Sequence, residues 1–133
     1  MLNTKKSNSK KYIGIIDQVI KKMTKQGSGC FLVGHGNMYY NPETGTKDPL
    51  GIISNVSPGY LYNCQGAISD ESMKPLVAHL FNKFDIDVST ENEYIRFVNF
   101  LQNIQDVHDN FTTGINESKF NLTEFVSQVK NLA

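Results

Sequence analysis

His108 and Asp109 stand side by side where an apolar helical stripe ends, and Cys30 lies far upstream between Gly29 and Phe31. A carboxylate can hold a histidine in one tautomer and make it a better base. A thiol deprotonated by that base becomes a nucleophile, so Cys30, His108 and Asp109 supply the parts of a small hydrolase. Two physical points weigh against that chemistry. Successive residues on a helix project about 100° apart, which places Asp109 poorly for orienting its own neighbour. A histidine at a helix C-terminus is also favoured there by the dipole alone. Cys30, followed by Phe31-Leu32-Val33, has the setting of a small hydrophobe opening a buried strand. We therefore assign no catalytic residues and keep Cys30, His108 and Asp109 as the alternative set.

A binding surface has clearer candidates. His35 sits between Gly34 and Gly36, at the expected tip of a hairpin. Tyr39, Tyr40, Tyr60 and Tyr62 lie among Gly, Asn, Pro and Ser, a mixture common at contact surfaces. The competing role for these tyrosines is packing between hairpin and helices, ring inward and hydroxyl toward water. His35, His79 and His108 share no metal-ligand spacing, and Cys30 and Cys64 supply no paired motif, so no metal is expected. Gly27-Ser28-Gly29 is too short for a dinucleotide fingerprint, and no cofactor is expected.

These residues need elements to hold them. Residues 1–11 are polar and basic and are expected to form a disordered tail, leaving 12–133 as one globular domain. Ile13, Ile16, Ile20 and Met23, with Val19 beside them, mark the first amphipathic helix, stopped by Gly27-Ser28-Gly29. Cys30–Val33 and Met38–Asn41 then form a β-hairpin about Gly34–Asn37, with Pro42–Gly45 as a second turn. Leu50–Ile53 reads as another short strand, and Ser57-Pro58-Gly59 and Asn63–Gly66 as loops. Met73, Leu76, Val77, Leu80, Phe81 and Phe84 repeat at helical spacing behind Pro75. Thr90 and Glu93 form a capping box before Tyr94, Phe97, Val98, Leu101, Ile104 and His108. Asn121 caps a last helix carrying Leu122, Phe125, Val126 and Val129. The expected fold is α+β: about four amphipathic helices beside a small β-hairpin, with the second and third helical stripes covering one another.

Thirteen basic residues balance thirteen acidic ones, and Arg96 is the one arginine, so no surplus of cations exists to bind phosphates. Nothing approaches the roughly 20 apolar residues of a membrane span. Asp17 and Gln18 interrupt the one run that resembles a signal peptide. Two cysteines without a secretory signal are expected to be reduced thiols in a cytoplasm.

Over residues 13–132 the chain resembles a family of small uncharacterised proteins of bacteria and their phages. The resemblance rests on three stretches: Gln105-Asp106-Val107-His108-Asp109, matching a helix-terminal Leu-Gln-x-x-His-Asp motif; Gly45–Ile53; and Tyr62-Asn63-Cys64-Gln65-Gly66. Ile104 replaces the usual leucine, Asp48, Ile52 and Met38 stand where cysteines are expected, and Gln65 replaces an acid. Any thiol or metal role of those cysteines is therefore absent from this chain. The resemblance implies a phage or prophage accessory protein in the bacterial host cytoplasm. It would bind a host or phage protein, or a small nucleotide-like ligand, and so inhibit, sequester or counter a defence. No nucleic-acid or membrane partner is expected, and an oligomer is compatible with the sequence. The alternatives are the Cys/His hydrolase and a minor virion component.

Overall fold

The computed structural model describes residues 8–26, 39–42, 44–112 and 122–132. Helix α1, Asn8–Gln26, buries Tyr12, Ile15, Ile16, Val19 and Met23. This face departs from the expected one at its start: Ile13 is 49% exposed, and Tyr12, one position earlier, takes its place in the core. The helix also starts earlier than the expected tail allows. The Asn8 amide donates to Asp87 O and to a Glu93 carboxylate oxygen, both at 2.9 Å, and accepts from Asp87 N at 2.9 Å. Lys11 reaches the carboxylate and carbonyl of Asp85. These contacts give Asn8–Lys11 tertiary partners, so the segment is helical.

A hairpin forms about the second of the two expected turns. Strand β1, Tyr40–Asn41, pairs antiparallel with β2, Thr46–Lys47, with Tyr40 opposite Lys47 and Asn41 opposite Thr46. Gly45, at φ 73°, closes the turn by donating its N–H to Asn41 O at 2.8 Å. The expected partner strand Cys30–Val33 and the turn Gly34–Asn37 lie outside the described residues. Gln26, the last residue of α1, holds β2 as a further strand would. Its amide donates to Lys47 O at 2.9 Å and accepts from Lys47 N at 3.0 Å.

The expected strand Leu50–Ile53 is a helix. Helix α2, Pro49–Ser54, starts at Asp48, whose Oδ1 accepts the Gly51 N–H at 2.7 Å, and it ends at Asn55 in the left-handed region. A side-chain cap, a proline in the first turn and an αL terminator outweigh the β-forming tendency of Ile52-Ile53. Helix α3, Pro58–Asn63, repeats the device in a segment expected to be loop, with Ser57 Oγ accepting from Tyr60 N at 3.2 Å. A single 3₁₀ turn, Glu71–Met73, leads into α4, Lys74–Lys83. Helix α5, Glu91–Thr112, follows Thr90, whose hydroxyl accepts the Glu93 N–H at 3.2 Å, one half of the expected box; the Glu93 carboxylate meets Asn8 and Arg96. Helix α6, Leu122–Lys130, buries Phe125 and Val129; its expected cap, Asn121, lies outside the described residues.

The two additional helices complete an α+β domain with a two-stranded sheet. They also change its packing. The stripes of α4 and α5 were expected to cover each other directly, and α2 instead packs against both, as well as against α1 and β2. Leu50 and Ile53 of α2 sit in one core with Leu76, Val77 and Leu80 of α4 and Phe97, Leu101 and Ile104 of α5. Phe81 and Tyr94 bring α4 and α5 together edge to face, with ring centroids 6.4 Å apart. Tyr12 of α1 stacks on Phe100 of α5 at 4.4 Å. From α4, His79 Nε2 donates to Ser54 O at 2.8 Å and Lys83 Nζ to Ile53 O at 2.7 Å, satisfying carbonyls that end α2. No described helix is long and apolar enough to cross a membrane.

Candidate functional site

Two features of different character meet at the end of α3. The outer one is a surface. Leu61 is buried, so the residues on either side of it project along the two flanks of the short helix, leaving Tyr60 42% and Tyr62 51% exposed. Beside Tyr60 lies a pocket of about 230 Å³ lined by Tyr60, Asn63, Cys64, Gln65, Ser72 and Met73. Its wall is thus made by the last turn of α3, the residues after it and the 3₁₀ turn. The lining carries two amides, two hydroxyls, a thiol and a thioether. Cys64 carries a free thiol, whose Sγ donates to Tyr60 O at 3.4 Å. Burial, and then the charge of Asp48, push this thiol upward, which keeps it protonated and weakens it as a nucleophile.

The inner feature is a buried polar cluster. Tyr39 is fully buried, and its hydroxyl donates to Gly66 O at 2.8 Å. Burial, followed by the Asp48 charge, raises the Tyr39 phenol well above its ordinary range, and a hydrogen bond from Gln105 partly offsets this. The Gln105 amide donates to Asp48 Oδ2 at 3.2 Å, so Gln105 of α5 joins the cap of α2 to the tyrosine preceding β1. Burial pushes the Asp48 carboxyl up to about 8, against the pull of its bonds from Gly51 and Gln105. One helical turn beyond Gln105, His108 is 2% exposed and its Nδ1 lies 3.3 Å from Asp109 Oδ1. The His108 ring also meets Phe125 of α6 edge to face at 6.3 Å.

The structure distributes the sequence candidates unevenly. Tyr60 and Tyr62 are surface residues, as a binding role requires, and Tyr40 is half-buried on β1. Tyr39 is a core residue with its hydroxyl on Gly66 O, which removes it from the contact set, and Tyr40 is partly buried against the same core. His35 and Cys30 lie outside the described residues. His108 and Asp109, expected to point apart, are in contact, because rotamers of adjacent side chains can converge from two sides of the helix. Asp48 and Gln105 enter the sequence reading only through the family resemblance, not as site residues, and Ser72 does not enter it. Asp48 had a legible signal, since an Asp-Pro pair ahead of an apolar run is a helix start. Ser72 had none.

Among the described residues, no group of three or more His, Cys, Asp and Glu is gathered in a way that could hold a metal ion. Comparison of the chain with protein-family models, with curated proteins and with solved structures found no match.

Proposed function

We propose that this protein is a non-enzymatic accessory protein that works by binding a protein partner through the outer face of α3. The supporting observation is the exposure of Tyr60 and Tyr62 beside the small pocket. Tyrosine gives large contact area with little side-chain entropy to lose, and a ring next to a pocket is a usual form of interface anchor. The pocket volume of about 230 Å³ favours one partner side chain over a whole nucleotide; small-molecule sites usually span about 300–1,000 Å³. The phage or prophage setting in a bacterial cytoplasm, with the partner a host or phage protein, is part of the proposal and derives from the Gln105–Asp109 resemblance. The hydrolase alternative would require Cys30 to reach His108, whose side chain is buried.

Affinity purification from cells of the proposed bacterial host tests the proposal. The wild-type chain should bring down one stoichiometric partner, and the Tyr60→Ser/Tyr62→Ser double variant should lose it at unchanged Tm. Retention of the partner by the double variant would end this assignment. A Tm rise with a nucleotide panel, in the absence of any protein, would transfer it to the small-ligand reading.

A further inference from the structure

The Asp48 carboxyl is 2% exposed. Its two oxygens are committed to different elements, Oδ1 to the Gly51 N–H of α2 and Oδ2 to the Gln105 amide of α5. Among the described residues, no lysine, arginine or histidine pairs with it. A carboxylate removed from water and given no cation is costly, and such a group lowers the cost by keeping its proton.

We propose that Asp48 is a proton-operated latch: the fold holds it as a neutral acid joining α2, α5 and the Tyr39 segment, and its ionisation weakens that junction. As a neutral acid, Asp48 also gains a donor. With the Gln105 amide turned over, its O–H can reach the Gln105 carbonyl, and Tyr39 still donates to Gly66 O.

The surrounding groups do not reverse this tendency. From α5, Asp109 adds a second negative charge that opposes ionisation, and His108 is engaged by Asp109. Tyr39 before β1 and Cys64 at the end of α3 are themselves acids, and an ionised Asp48 would hold their protons more tightly, so neither supplies a compensating positive charge. On β2, Lys47 adjoins Asp48 in sequence, and its backbone is tied to Gln26 of α1. His79 and Lys83 of α4 serve carbonyls at the opposite end of α2, and Lys22 of α1 acts on Lys83. The hydrogen bonds from Gly51, Gln105 and Leu50 favour the charged form but are outweighed by burial.

The sign of the pH effect follows. Asp48 ionises near its ordinary value of 3.8 in the unfolded chain and near 8 in the folded one. Its contribution to stability is complete below the lower value and is lost as pH rises through the upper one. Thermal unfolding between pH 5 and pH 9 tests this with the wild type and Asp48→Asn, since asparagine can still cap Gly51 and resembles the protonated acid. The wild-type Tm should fall by on the order of 10 °C across that interval, while the variant stays level. A level wild-type profile, or equal slopes in the two proteins, would overturn the proposal. Should Asp48→Asn fail to fold, the aspartate carboxyl-carbon NMR titration of the wild type decides. An Asp48 transition centred above about 6.5 supports the latch, and one centred lower refutes it. Neither measurement depends on the α3 binding proposal.

Discussion

Helices α2 and α3 begin alike and end in opposite surroundings. Each is six residues long, each starts with an oxygen-bearing cap followed by proline, and each cap accepts a backbone N–H three residues on. In α2 the residues after the proline are Leu, Gly, Ile and Ile, and five of its six residues are buried. In α3 they are Gly, Tyr, Leu and Tyr, and Leu61 alone is buried. The cap chemistry therefore decides only that a helix forms. Which side chains follow decides whether it becomes the centre of the core or a surface. The caps follow suit: Ser57 is exposed, while Asp48 is enclosed and has become a titratable joint.

Substitutions at matched positions test how far this contrast goes. Leu50→Ala should have the largest effect, because Leu50 is fully buried where α2 meets its neighbours; a loss of about 2–5 kcal/mol is expected in urea unfolding. A loss below about 1 kcal/mol would mean that α2 does not organise the core. The two glycines come next and should differ in sign. A Cβ on Gly51 would lie 2.7 Å from Tyr39 O, so Gly51→Ala should cost about 1–3 kcal/mol. Gly59 of α3 has nothing within 4 Å of that position, and Gly59→Ala should stabilise by up to about 1 kcal/mol through helix propensity. Equal effects at the two glycines would contradict the contrast. The smallest effect belongs to Tyr60→Ser with Tyr62→Ser, expected to stay within about 0.5 kcal/mol per site, as surface changes do.

The same pair of helices shows what the sequence could reveal. Long elements were legible because their apolar spacing repeats over several turns. Thus α4 and α5 were expected where they occur, with Leu76, Leu80, Phe97 and Leu101 inside. A six-residue helix is under two turns, too short for spacing to separate it from a strand or a loop. Pro49-Leu50-Gly51-Ile52-Ile53 then looks like a strand because it is uniformly apolar, which full burial produces in either structure. The caps held the missing information, and Asp48-Pro49 and Ser57-Pro58 are both helix starts. On α1, Ile16, Val19 and Met23 are inside as their spacing indicates, while Tyr12, whose polar tip disguises it, fills the first core position in place of Ile13. The tyrosines of the candidate surface were legible by composition, but burial divides them, placing Tyr39 inside and Tyr60 and Tyr62 outside. The buried cluster was not legible, since Asp48 and Gln105 lie 57 positions apart and meet only through tertiary packing.

Photo-crosslinking in cells of the proposed bacterial host addresses the role of α3 most directly. A benzophenone amino acid at Tyr62 would be compared with one at Ile13 on α1, two positions with nearly equal exposure, 51% and 49%. If α3 is the contact surface, irradiation should yield one dominant adduct between this chain and a protein partner from position 62 and none from position 13. An adduct from position 13 alone, or none from either, would contradict it.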